Sequence, residues 1–178
     1  SVIGNKSGKV LLTMFSQNTN LLLAFLRDHN TARSVLDVFN DLYAMFGRET
    51  YCRLFPVILT DRGSEFSNPV PIEQDENDEL RSLVFYCNPS VPYQKGGIEV
   101  AHELVRRVLP KGKSFDDLQQ EDIDLMLSHI NSYKRGKLNS RSAYQLFNFI
   151  YGDDILPKLN IREIEANDIV LSPKLLKK

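Results

Sequence analysis

Two carboxylates are placed where chemistry could be done. Asp61 ends the run Val57-Ile-Leu-Thr60, four apolar or β-branched residues that read as a short strand buried on both faces. Gly63 then lets the backbone turn tightly away. In an open α/β sheet the crevice beyond the carboxyl ends of the strands is where ligands bind, so an acid there faces a ligand or a metal. The competing reading is that Asp61 merely opens a loop. Glu99 is the second acid. It falls in the first turn of a helix expected from about Ile98 to Leu109, after the glycine-ended loop Pro92-Tyr-Gln-Lys-Gly-Gly97. Glu99, His102, Glu103 and Arg106 recur at i, i+3, i+4 and i+7, which stacks two acids, an imidazole and a guanidinium on one side of that helix. A helix dipole alone favours an acid in the first turn, so solvated helix surface is the alternative there.

The elements that must position these residues follow mixed α/β order. Val2 to Gly4, Lys9 to Phe15 and Leu21 to Leu26 read as three antiparallel strands joined by hairpins, with Asn5-Lys-Ser-Gly8 as the first turn. A helix follows, capped by Asn30 or Thr31. Its apolar stripe is Val35, Val38, Phe39, Leu42, Met45 and Phe46, and Gly47 ends it. The Asp61 strand comes next and should run parallel to one of the first three, because a helical crossover separates them. The acidic stretch Ile72 to Leu80 is a solvated loop or short helix, and Leu83 to Tyr86 is a fifth strand. Beyond the Glu99 helix, Ile123, Met126, Leu127, Ile130 and Tyr133 mark one apolar helix face. Ser140 is the expected cap of a helix through Ala143, Leu146, Phe147 and Ile150. Residues 153–178, with the brief apolar run Ile169-Val-Leu171, read as a tail packed on the core or partly flexible.

Composition is that of an ordinary globular domain, 42% hydrophobic and 25% charged over 178 residues. No apolar run reaches the roughly 20 residues that cross a bilayer, and the start lacks a signal peptide, so a cytoplasmic protein with no membrane partner is expected. Cys52 and Cys87 are far apart and outside any metal spacing, which favours free thiols. The net charge of −1 argues globally against a nucleic-acid binder, yet the charges are segregated. Five acids fall within Glu73–Glu79 and five more within Asp116–Asp124. Lys95, Arg106, Arg107, Lys111 and Lys113, with Lys134, Arg135, Lys137 and Arg141, suffice for one basic face if the fold gathers them.

Taken together these motifs resemble the DDE transposases of bacterial insertion sequences, which share a retroviral-integrase-like catalytic core. The resemblance is carried in order by Ser1-Val-Ile-Gly4 with Lys9-Val-Leu-Leu-Thr13, Leu59-Thr-Asp-Arg-Gly-Ser-Glu-Phe66, Tyr86-Cys-Asn-Pro89 with Tyr93-Gln-Lys-Gly96, Ile98-Glu99, His102 through Arg107, Leu109-Pro-Lys-Gly112, and Asn139 through Phe147. It implies a ribonuclease H-like mixed sheet of five strands flanked by helices, with residues 1–152 as the integrase core. It also implies that Asp61 and Glu99 are catalytic metal ligands for Mg²⁺ or Mn²⁺, two ions in the complete enzyme. Two such ions suit in-line displacement at phosphorus and need only hard oxygen ligands. Arg62, Lys95, His102, Arg106, Arg107 and Lys111 become DNA contacts that position the strand without reading sequence. The implied partners are element ends and target DNA, with a homo-oligomer on DNA and no small-molecule substrate.

The resemblance has departures. The family's first catalytic Asp lies immediately before the residue that matches Ser1, so an N-terminally truncated, inactive core is expected. Val100 and Ala101 are more apolar than the family's usual residues after the catalytic Glu. Two other functions therefore stay open: a degenerate core kept as a DNA-binding or oligomerisation module, and a nuclease that hydrolyses without strand transfer.

Overall fold

The structure, a computed structural model, describes residues 2–3, 8–88 and 96–176. It divides into two compact units, one formed by Ser1–Arg27 with Gly96–Lys178 and the other by Asp28–Lys95. Both are mixtures of helix and strand, as the order of elements in the sequence leads one to expect.

In the first unit β1 (Val2–Ile3), β2 (Val10–Phe15) and β3 (Leu22–Arg27) form an antiparallel sheet in the order β1-β2-β3. Residues 4–7 of the expected first turn lie outside the described residues. Among the described residues of this unit are the α-helices α1 (Gly96–Val108), α2 (Gln120–Ser132), α3 (Ala143–Tyr151) and α4 (Ile155–Lys158). Helix α1 buries Ala101, Val105 and Val108 of the stripe expected from its spacing, with Leu104 beside them, while Ile98 of that stripe is only half-buried. Helix α2 buries Ile123, Met126, Leu127 and Ile130.

Helix α2 also completes the outer edge of the sheet. The Asn131 amide, fully buried, accepts from Leu22 N–H at 2.9 Å and donates to Leu22 C=O at 2.8 Å. Three turns earlier, Gln120 accepts from Leu26 N–H at 2.8 Å and donates to Ala24 C=O at 3.1 Å. An edge strand carries a row of unpaired backbone groups, and these two amides satisfy four of them. On another side of α2, the chain after Asn160 is tied down by its own N–H groups. Arg162 N–H donates to Ser128 Oγ (3.1 Å), Ile164 N–H to Ser132 Oγ (2.9 Å) and Val170 N–H to His129 Nδ1 (3.1 Å). The buried anchors of this stretch are Ile155, Leu156, Leu159, Ile161 and Leu176. Val170, from the apolar run that the sequence picks out, stays 38% exposed.

Three local expectations are corrected here. Tyr133 caps the carboxyl end of α2 and is exposed, because the helix stops one residue before it would join the apolar face. The cap of α3 is Ser142, whose Oγ accepts from Gln145 N–H while Gln145 Oε1 accepts from Ser142 N–H, a reciprocal box unavailable to Ser140 in its left-handed turn (φ 61°). Ile150 is exposed, since α3 docks through Ala143 and Phe147 alone.

The second unit holds α5 (Ala32–Leu54), β4 (Val57–Thr60), α6 (Val70–Glu73) and β5 (Leu83–Tyr86). Thr31 caps α5 through a reciprocal bond pair with Ser34. Gly47 does not end the helix: it breaks it, with φ 74°, and a further helical stretch runs on to Leu54. β4 pairs in parallel with β5, in the register Val57↔Leu83 to Thr60↔Tyr86; among the described residues this is its one recorded ladder, where the sequence leads one to expect a parallel partner among the first three strands. β4 is not buried on both faces. Val57, Leu59, Leu83 and Phe85 share one side of this pair and are all exposed, because the unit's helices cover only the other side.

Buried Arg81 holds the second unit together. Its Nε donates to Ile72 C=O at 3.0 Å, its Nη2 donates to Asn40 Oδ1 and Pro71 C=O at 2.8 Å, and the guanidinium stacks 5.1 Å above the Tyr43 ring. The acidic stretch folds around one of its own members. Asp75 accepts from the Tyr43 hydroxyl (2.8 Å), from Arg48 (3.1 Å) and from the N–H groups of Asn77 and Glu79. The Tyr43 hydroxyl leads in holding this carboxyl below its usual range.

Candidate functional site

Asp61 follows β4 directly and is exposed. Its Oδ1 accepts from Gly63 N–H at 3.3 Å. A Cβ on Gly63 would lie 3.1 Å from Asp61 Oδ1 and 2.5 Å from Glu65 Oε2, so both carboxylates converge on one small space that glycine leaves open. The loop is anchored behind them. Phe66 is buried, its C=O accepts from the Tyr86 hydroxyl at 2.6 Å, and Cys87 N–H extends the ladder to Thr60 C=O at 2.8 Å. Arg62 is exposed beside Asp61.

Glu99 stands exposed in the first turn of α1. Gly97 lets this turn lie against the sheet, since a Cβ there would overlap the Phe15 ring at the end of β2. One turn after Glu99, His102 Nε2 and Thr13 Oγ1 are 2.8 Å apart, which ties α1 to the middle strand. Thr13 can donate to a neutral ring or accept from a protonated one, so the bond survives either state. Arg106 is half-buried one turn further, and Lys111 is exposed. Lys95 lies outside the described residues.

A cavity of about 440 Å³ opens on the other side of α1, entirely within the first unit. Val100, Glu103 and Arg107 line it from the helix, and Tyr133, Lys134 and Arg135 from the turn after α2. Of the residues expected to form a basic face, Arg107, Lys134 and Arg135 line this one cavity. Burial pushes the Arg135 guanidinium below its ordinary range.

Among the described residues no three His, Cys, Asp or Glu side chains cluster as a metal site. The donor types present at Asp61, Glu65 and Glu99 are hard oxygens, the type that Mg²⁺ and Mn²⁺ take.

Three comparisons with known proteins bear on this arrangement. The chain is 28% identical over 147 residues to a provisionally named integrase, ORF3, of Spiroplasma virus SpV1-R8A2 B, covering 83% of this chain and 44% of that protein. It is 35% identical over 63 residues to the transposase of insertion sequence element IS1086 from Cupriavidus metallidurans, covering 35% of this chain and 19% of the relative. It is 27% identical over 94 residues to the transposase of IS4351 from Bacteroides fragilis, covering 53% and 28%. The chain is thus similar in sequence to an integrase and to two transposases. No protein-family model matches it. The chain spans less than half the length of the curated proteins it matches. Among its described residues no helix is long and apolar enough to cross a membrane.

Four residues near these positions carry little signal in the sequence. Thr13 left a signal, a lone polar residue in the apolar strand Val10–Phe15. Glu65 stood two residues past Gly63 but had no visible reason to turn back towards Asp61. Tyr133 was read as core because it continued an apolar spacing, and Arg135 was one charge among several.

Proposed function

We propose that the protein is the catalytic core of a DDE transposase, which cleaves DNA phosphodiesters and transfers a 3′-hydroxyl strand into target DNA. The observation that carries the reading is kinship to an integrase and two transposases in a chain that sets an exposed Asp at a strand's carboxyl end. In this reading the strands belong to the ribonuclease H-like sheet that the sequence resemblance implies. Asp61 and Glu99 hold the divalent cations. When bound, two such ions supply positive charge for the attacking and leaving oxygens of an in-line displacement. The chain's own residues do the rest. The β4–β5 ladder and the Tyr86–Phe66 bond fix the Asp61 loop, and the Thr13–His102 bond fixes the turn of α1 that bears Glu99. Arg62, Arg106, Arg107 and Lys111 draw the phosphates of element end and target into place, a role that Lys95 and His102 share.

Manganese titration by calorimetry tests the assignment. The chain should bind Mn²⁺ saturably, and Asp61→Asn and Glu99→Gln should each weaken binding at least about tenfold, as loss of one anionic ligand from a small oxygen-ligated site demands. In the full-length protein the same substitutions should abolish strand transfer from pre-cut ends. Unchanged Mn²⁺ affinity in both variants sinks the site. Salt-sensitive DNA binding with no metal response would instead favour a non-catalytic DNA-binding module.

A further inference from the structure

The cavity beside α1 is built for more than a phosphate passing over a surface. Nε and Nη2 of Arg135 are buried and have no hydrogen-bond partner among the described residues. These two groups lie on one edge of the guanidinium, the edge that presents parallel donors to two oxygens of a carboxylate or phosphate. A buried charged donor left unmade costs more than a neutral one, so such a pair is an uncommon thing to find at rest. Arg107 and Lys134 line the same cavity and bring its cations to three. Other lining residues differ in character. Tyr133 is 41% exposed and Val100 is 44% exposed, an aromatic ring and an aliphatic side chain turned into an open space, with the Glu103 carboxylate beside them.

We propose that this cavity is a binding site for one unpaired nucleotide of a DNA strand, its phosphate on Arg135, Arg107 and Lys134 and its base on Tyr133. The proposal rests on the DNA-transposing reading above and adds a subsite to it. The volume suits it, since ligand cavities run from roughly 300 to 1,000 Å³ and a paired, stacked base has no free face to offer an aromatic wall. Every base has a π-face, so Tyr133 holds any of the four without reading sequence. Glu103 accepts from a base N–H or amino group and adds a mild preference for bases that carry one at that edge. Arg135 reaches the phosphate by a turn of its side chain, and that turn breaks no hydrogen bond of the two orphaned groups. The site would hold a frayed or displaced strand end beside the helix that carries Glu99.

Fluorescence anisotropy with the whole chain tests this, using a labelled single-stranded hexathymidylate and a labelled duplex of about 20 base pairs. Wild-type protein should bind the hexamer, and Tyr133→Leu and Arg135→Leu should each weaken that binding about tenfold, within the range expected for losing one base stack or one phosphate fork. Duplex affinity should fall less than threefold in both. Tyr133 is exposed, so its variant remains informative even if Arg135→Leu disturbs the fold. Hexamer binding that neither folded variant changes overturns the subsite, and so does duplex binding with none to the hexamer. Mn²⁺ titration of the same variants separates the two claims. Normal metal binding with unchanged hexamer binding removes the subsite alone, whereas absence of any DNA binding removes the transposase reading as well.

Discussion

Gly63 is where the two carboxylates of the Asp61 loop are kept close. Its backbone does not need the left-handed region, so Gly63→Ala introduces no backbone strain, and the methyl group meets only the flexible end of Glu65 and the Asp61 carboxylate. The expected outcome is a folded protein destabilised by less than about 1 kcal/mol, with Mn²⁺ affinity reduced severalfold, because the carboxylates are pushed apart while the core is untouched. Urea unfolding and calorimetry on the one variant read both effects. A variant that lost stability but kept its metal affinity would show that the loop serves folding only. His129 offers a different test at the same scale. Burial leads, and Arg162 adds, in holding its imidazole below the ordinary value, while Asp168 opposes them. Its Nδ1 accepts from Val170 N–H, which the protonated ring cannot do. A histidine whose folded pKa is depressed adds stability that is fully present above its unfolded value of about 6.5 and is lost as pH falls below it. Stability should therefore drop between pH 7 and 5.5, and His129→Gln should flatten that slope. Asp124 works the other way, since burial raises its carboxyl and protonation relieves the cost at lower pH.

Helix α2 is the element on which the first unit depends. One stripe fills the core, the Gln120 and Asn131 amides finish the β3 edge, and Ser128, His129 and Ser132 take the N–H groups of the C-terminal stretch. Asn131→Leu keeps roughly the same volume but strands Leu22 N–H and C=O away from water. Each unsatisfied group costs about 1–3 kcal/mol, so the substitution should destabilise by on the order of 3 kcal/mol. Chemical denaturation monitored by far-ultraviolet circular dichroism measures it. A loss under about 1 kcal/mol would mean that water reaches the edge. Thr13→Val should cost about 1 kcal/mol through the lost bond to His102. The strand itself tolerates valine well.

At the scale of the whole molecule, 22 basic residues against 23 acidic give a net charge of −1, so any affinity for DNA must come from how the charges are distributed. Arg107 and Lys134 are gathered at one cavity, and replacing both with glutamine should lower the slope of log affinity against log salt by roughly two, about 0.9 per phosphate contact. An unchanged slope would place DNA elsewhere on the protein. The order of elements, the three leading strands, Thr31 as one of two candidate caps and most of the buried stripes of α1 and α2 were legible in the residues, because periodicity and capping chemistry act over a few neighbouring positions. So were the candidate acids Asp61 and Glu99, marked by their places at a strand end and a helix start. Which side of a strand is covered is not local information, and the β4–β5 pair shows it. Val57 and Leu59 have the composition of a strand buried on both faces, yet they lie exposed because the helices of their unit lie on the other side. Only tertiary structure could bring Thr13 to His102 across 89 positions of chain and set Tyr133 and Arg135 around a cavity with Arg107. Those juxtapositions depend on distant segments packing together, and nothing within a few residues of each group records them.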